Sequence, residues 1–152
     1  MPRRQFAMTL RMWAQGGVNE MNAIRREAAG LLAESLTQGG PYGPGTPVKT
    51  GRLLSGWTAE NRAGQRTSVG TRGPGGDVRD RPELQRGRVP GWLARVRRMA
   101  GRADIRIFTA VPYAVFVDKN HPTKRQFITK VRRNWPRIVA RARLVAKGAR
   151  RS

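Results

Sequence analysis

Thirty-one lysines and arginines stand against nine aspartates and glutamates in this chain of 152 residues, a formal charge of +22 with a pI near 12.0. That excess lies far outside ordinary globular balance and calls for a polyanionic partner, or for an assembly that neutralises it; nucleic acid is the first candidate. Almost all of the cations are arginine, which suits bidentate pairing with phosphate or carboxylate, although a coding bias toward arginine would give the same composition. A hydrophobic content of 38% supplies the core of one domain, and the length is short for two. With no cysteine, disulfides and thiolate metal sites are excluded. No apolar run approaches the roughly 20 residues of a membrane-spanning helix, and Met1–Thr9 lacks the apolar centre of a signal peptide, so a soluble chain made in the cytoplasm, with no membrane partner, is expected.

Hydrophobic spacing predicts both helices and strands. Phe6, Met8, Leu10 and Met12 alternate as in a half-buried strand. Asn19 is a plausible N-cap, after which Met21, Ile24, Ala28 and Leu31 recur on one face of an amphipathic helix of about five turns. The run from Gly39 to Pro47 is too rich in glycine and proline for regular structure and reads as a loop. Leu53–Glu60 and Arg66–Thr71 are expected to pair as a hairpin across Asn61–Gly64. Ile105, Ile107, Thr109 and Val111 give the clearest strand, with Phe108 facing the other way, so both faces of the sheet should be partly covered. A short helix is expected after Pro112. Phe127 or Ile128, Val131, Trp135, Ile138, Ala142 and Val145 mark a long C-terminal helix, which Pro136 should kink or split near Asn134–Trp135.

Two segments lie outside this pattern. Gly70–Arg88 is dense in Gly, Pro, Arg and Asp and predicts a flexible excursion. Within the same basic insertion, about 70–102, Trp92, Leu93, Val96 and Met99 have helical spacing beside Arg95, Arg97 and Arg98. Two readings of this short basic helix stand open: an element that docks DNA or a neighbouring subunit, with Trp92 as interface anchor, or a surface helix covering the sheet edge. At the other end no acidic residue follows Asp118, whereas twelve Lys or Arg do. The C-terminal helix, with Lys130, Arg132, Arg133, Arg137, Arg141 and Arg143, and a basic tail at about 146–152 therefore form an almost purely cationic element. Such an element is either a phosphate-binding face or a solvated one.

Two short motifs carry a resemblance. Thr50-Gly51-Arg52-Leu53 is a Thr-Gly-x-Leu strand opening, and Pro112-Tyr113-Ala114 is a turn at the end of a strand. In their order, with an N-terminal helix before them, a small sheet between them and a helix after them, they resemble the neck, or tail-completion and head–tail joining, proteins of long-tailed bacteriophages. The chain departs from that pattern in Asp118-Lys119-Asn120, where a Glu-x-Gly is usual, and in the Arg-rich insertion. The resemblance covers roughly residues 18–145 and implies an α+β fold, within a single domain over residues 1–152, with N- and C-terminal helices packed on a small, mainly antiparallel sheet. It also implies a homo-oligomeric ring in the virion, at the head–tail junction. The partners would be the portal-side connector, a tail terminator or tail tube, and genomic DNA contacted without regard to sequence. The alternative is a free cationic nucleic-acid-binding protein.

Enzymatic readings are weak. His121 and Asp118 are spaced for a helix-turn pair, but a His-Asp pair alone specifies no reaction, and the carboxylates lack metal-ligand spacing. Neither a cofactor nor a metal is expected. Gly70–Gly76 lacks the Gly-Lys-Ser/Thr ending of a phosphate loop. Tyr113 and Phe116 are readable as base-stacking platforms or as core, and Trp57 and Trp135 as core or interface anchors.

Overall fold

The computed structural model describes residues 7–10, 18–47, 52–70, 82–109, 111, 114–121 and 126–150. In chain order the elements are β1 (Ala7–Leu10), α1 (Val18–Thr37), α2 (Arg52–Ser55), β2 (Trp57–Asn61), β3 (Arg66–Ser68), α3 (Pro82–Arg102), β4 (Ile105–Thr109), α4 (Ala114–Asn120), α5 (Phe127–Arg133) and α6 (Trp135–Arg150). The strands form one antiparallel sheet in the order β1-β4-β2-β3, with Ala59 opposite Ile107 across the central pair and Ala59 opposite Thr67 across the hairpin. Helices packed on a small antiparallel sheet make this an α+β fold, as the motif resemblance implies.

Strand alternation decides which residues enter the core. Trp57 and Ala59 of β2 and Ile105 and Ile107 of β4 are buried on the face covered by helices, where they meet Leu32 and Leu36 of α1 and Val89, Trp92 and Val96 of α3 in one cluster. Phe108 points to the opposite face and is buried there without joining that cluster. The guanidinium groups of Arg106 and Arg66 lie 4.9 and 5.5 Å from its ring centre, so cationic stems and a cation–π contact cover this side. Arg106 also pairs with Glu60 at 3.3 Å.

Helix α1 packs between α3 and α6. Its buried Arg25 ties three elements together. Nε donates to the carbonyl of Ala100 in the last turn of α3 at 2.5 Å, one terminal nitrogen reaches Asp104 Oδ1 at 3.3 Å just before β4, and the other donates to Asn22 at 2.8 Å. A cation at that helix end also meets the negative pole of α3.

The Gly/Pro loop after α1 is pinned rather than loose. The indole N–H of Trp57 donates to Thr46 Oγ1 at 2.7 Å, and that hydroxyl donates to the Leu36 carbonyl at 2.5 Å, so a buried tryptophan is satisfied through a loop threonine. Gly39 and Gly45 hold φ of 84° and 81°, and a Cβ on either would lie 2.6 Å from backbone atoms of the facing strand of the loop, so only glycine fits this approach. On its far side, Asn134 Nδ2 donates to the Tyr42 carbonyl at 3.0 Å.

Four expectations need correction. Leu53 does not open a strand: Arg52–Ser55 is a helical turn, and β2 starts at Trp57. Consecutive Leu53, Leu54 and Ser55 are all buried, which a strand with one face per alternate residue does not provide at this edge. The insertion is ordered from Pro82 to Arg102 as a single helix of 21 residues, because Gln85, Val89, Trp92, Leu93, Val96 and Met99 bury one face; residues 71–81 lie outside the described residues. Trp92 is fully buried, not an interface anchor, and its indole N–H donates to the Thr67 carbonyl at 3.1 Å. The tail expected from 146 continues α6 to Arg150, with Ala146 buried; 151–152 lie outside the described residues.

The break near Pro136 is present. α5 ends at Arg133, Asn134 sits between the helices at φ −88°, and α6 begins at Trp135. Pro136 is then the second residue of its helix, where the missing N–H has no intrahelical acceptor to lose.

The variant Arg25→Met keeps the stem and removes all three donor contacts, leaving the Ala100 carbonyl without its side-chain donor and Asp104 with the exposed Arg62, at 4.0 Å, as its remaining described ion pair. Urea unfolding should show a loss of about 2–4 kcal/mol, in the range for breaking a buried pair; a loss below about 0.5 kcal/mol would contradict the role given to Arg25.

Candidate nucleic-acid interface

The helix α3 crosses the end of the β2–β3 hairpin and leaves a groove of about 430 Å³ lined by Gln65, Arg66, Thr67, Arg95, Arg98, Met99 and Arg102. Four of the seven side chains are arginines and none is acidic. Arg95, Arg98 and Arg102 are spaced i, i+3 and i+7, so the helix projects them from one face over about 10 Å of its length. Arg66 comes from the opposite wall. Two of the four are held by the protein: Arg95 Nε donates to Thr67 Oγ1 at 2.7 Å, and Arg66 rests on Phe108. Arg98 and Arg102 are exposed. Glu60 lies across the strand pair from Arg66, but it is taken by Arg106.

Arg97 departs from its neighbours. One position off the groove face, it turns toward α1, and Gly30 provides the space: a Cβ there would fall 2.2 Å from Arg97 Nε. That Nε is buried and has no hydrogen-bond partner. Arg97 therefore serves the α1–α3 contact, and the three-arginine expectation narrows to Arg95 and Arg98.

A second cationic surface runs along α5 and α6. Ile138, Ala142 and Ala146 recur every fourth residue and are buried, which turns Lys130, Arg132, Arg133, Arg137, Arg141 and Arg143 to solvent, each exposed. Arg137 is partly fixed, lying 5.6 Å from the ring centre of Tyr42. Leu144 is 63% exposed among these cations.

The motif residues fall unevenly. Thr50, Gly51, Pro112 and Tyr113 lie outside the described residues; Leu53 and Ala114 are buried, the latter opening α4. Nothing is described of the Phe116 side chain. Trp57 is core, and Trp135 is partly buried against it.

Asp118 has a structural task. Its Oδ1 accepts the backbone N–H groups of Ile128 and Thr129 at 2.7 and 3.1 Å, and Oδ2 accepts the Thr129 hydroxyl at 2.5 Å. The residue preceding α5, Gln126, sits at φ 60° and makes no side-chain cap. The carboxylate of Asp118 supplies that cap from across the intervening segment, where it also meets the positive pole of the helix. Both oxygens are thus engaged with α5. Among the described residues no group of three or more His, Cys, Asp or Glu is placed to hold a metal ion, and no helix there is long and apolar enough to cross a membrane.

Chemically, the two arginine surfaces offer planar N–H donors to anionic oxygens and little else. Guanidinium binds phosphodiester oxygens in bidentate geometry without a proton transfer. Reasoning from sequence missed Arg66, Arg102 and the contributions of Gln65 and Thr67. The i, i+3, i+7 series through Arg102 was present as a signal; Arg66 joins it only through the packing of α3 on the hairpin. Comparisons with protein-family models, curated proteins and solved structures find no match to this chain.

Replacing Asp118 with alanine should lower unfolding stability by about 1–2 kcal/mol, the usual cost of a lost cap, with Asp118→Asn losing less. Unchanged stability in the alanine variant would contradict the capping role.

Proposed function

We propose that this chain is a structural protein of a bacteriophage neck, of the tail-completion type. In this reading it forms a homo-oligomeric ring at the head–tail junction of the virion, and its arginine surfaces face the genomic DNA or acidic neighbouring rings. The observation that carries the reading is the acid-free groove of Arg66, Arg95, Arg98 and Arg102, together with the cationic outer side of α5–α6. A ring around DNA needs cationic or mixed charge toward its channel, and contacts made by arginine to phosphate are indifferent to sequence, as passage of a whole genome requires. The order of elements also agrees with what the motif resemblance implies: a long helix, a pinned Gly/Pro loop, a small antiparallel sheet, a short helix at Ala114 and a C-terminal helical segment.

The partners in this reading are further copies of the chain, the portal-side connector and a tail terminator or tail tube. No catalytic role is included. A free nucleic-acid-binding protein of the infected cell is the second reading, favoured by the same groove and requiring no ring.

A phage whose genome lacks this reading frame should accumulate DNA-filled heads and finished tails that do not join, with infectious titre falling by several orders of magnitude and recovering when the chain is supplied from a plasmid. Normal joined particles from the deletion phage would refute the neck role and leave the free DNA-binding reading.

A further inference from the structure

Resting on the reading of the arginine surfaces as DNA-facing, the geometry points to the groove between α3 and β3 as a built seat for the sugar–phosphate backbone of one strand of duplex DNA. About three successive phosphates would lie along it. The length of the arginine series sets that number. Arg95 to Arg102 spans about 10 Å at 1.5 Å per residue, and successive phosphates of one strand advance about 3.4 Å along the duplex axis.

Three features separate this groove from an ordinary solvated basic face. First, Arg95 is positioned before any ligand arrives, by the Thr67 hydroxyl, so less side-chain freedom is lost on binding. Second, the two walls are tied to each other, because the indole N–H of Trp92 on α3 donates to the Thr67 carbonyl of β3 at 3.1 Å, so the width of the groove is set by the fold. Third, Arg95, Arg98 and Arg102 follow one another along the helix wall with no carboxylate in the lining. Matching that density calls for a ligand with one charge every few ångströms, which a nucleic-acid backbone supplies along its whole length. Because the donors reach phosphate and not base edges, binding carries no sequence preference.

The test uses the full chain and a fluorescein-labelled duplex of about 20 base pairs, followed by anisotropy across a salt series. Arg98→Glu with Arg102→Glu reverses the two exposed arginines that α3 contributes to the groove. Arg86→Glu with Lys119→Glu makes the same change of charge at two exposed positions outside the groove. The groove pair should lose at least about tenfold more affinity than the comparison pair, and the slope of log K against log salt should fall by about two. The milder pair Arg98→Gln, Arg102→Gln should show the same ordering with circular dichroism unchanged. A second duplex of scrambled sequence should bind within about twofold of the first.

Equal losses in the two reversed pairs would overturn the proposal, since overall charge and not the groove would then be responsible. Displacement of the duplex by poly-glutamate at an equal or lower concentration of charge would overturn it in favour of an acidic protein surface. Both outcomes concern the isolated chain and are independent of whether it occupies the virion, so failure here and failure of the neck reading are separately visible.

Discussion

The contact of Arg25 with Ala100 and Asp104 is the joint on which the rest of the molecule depends. It fixes the middle helix to the end of α3 and to the start of the central strand, and α3 in turn sets one wall of the arginine groove. In a chain carrying +22 such joints have to be few and well placed, because like charges oppose compaction everywhere else. The carboxylates are spent at them: Asp104 on Arg25, Asp118 on the first turn of α5, Glu60 on Arg106. The consequence reaches function. With those acids engaged at internal junctions, the α3–β3 groove has none in its lining.

The arginines divide along the same lines. Arg25 and Arg97 belong to helix packing, the first fully satisfied and the second with its Nε buried over Gly30. Arg106 and Arg66 cover Phe108 with their stems, and Arg66 also serves the groove. Arg98, Arg102 and, on α5–α6, Lys130, Arg133, Arg141 and Arg143 are exposed and placed to meet an external anion, whereas Arg137 also lies against Tyr42. One residue type thus supplies both the mortar of the fold and its binding surface, a dual use that the planar guanidinium on an apolar stem permits.

Periodicity revealed much of this architecture. Helix α1, strand β4, the hairpin at Asn61–Gly64 and the break before Pro136 all follow from local spacing and from the special roles of Asn, Gly and Pro. The first half of α3 was hidden because Gly87, Pro90 and Gly91 argue against a helix locally, while the burial of Gln85, Val89 and Trp92 that favours it exists only once α1 and the hairpin are in place. Leu53 misled for a related reason: a motif read as a strand opening is a helical turn whose neighbouring leucines are both buried. The candidate site was legible in part. Arg95 and Arg98 were visible as a basic helix face, and of the two readings offered for that helix the cover for the sheet edge describes its packing on β3. Arg66 depends on tertiary contact, and the capping role of Asp118 on a partner ten residues away, beyond what spacing alone reveals.

A charge-driven fold of this kind makes sense in an assembly where DNA or acidic rings complete the balance, and that is the central claim. The most direct measurement is cryo-electron microscopy of purified virions at a resolution that distinguishes side chains. The account predicts a ring of copies at the head–tail junction into which this chain can be built, with the groove of Arg66, Arg95, Arg98 and Arg102 or the outer side of α5–α6 turned toward the DNA channel or an acidic neighbouring ring. A neck fully accounted for by other proteins, or a ring in which both arginine surfaces face outward to solvent, would contradict it.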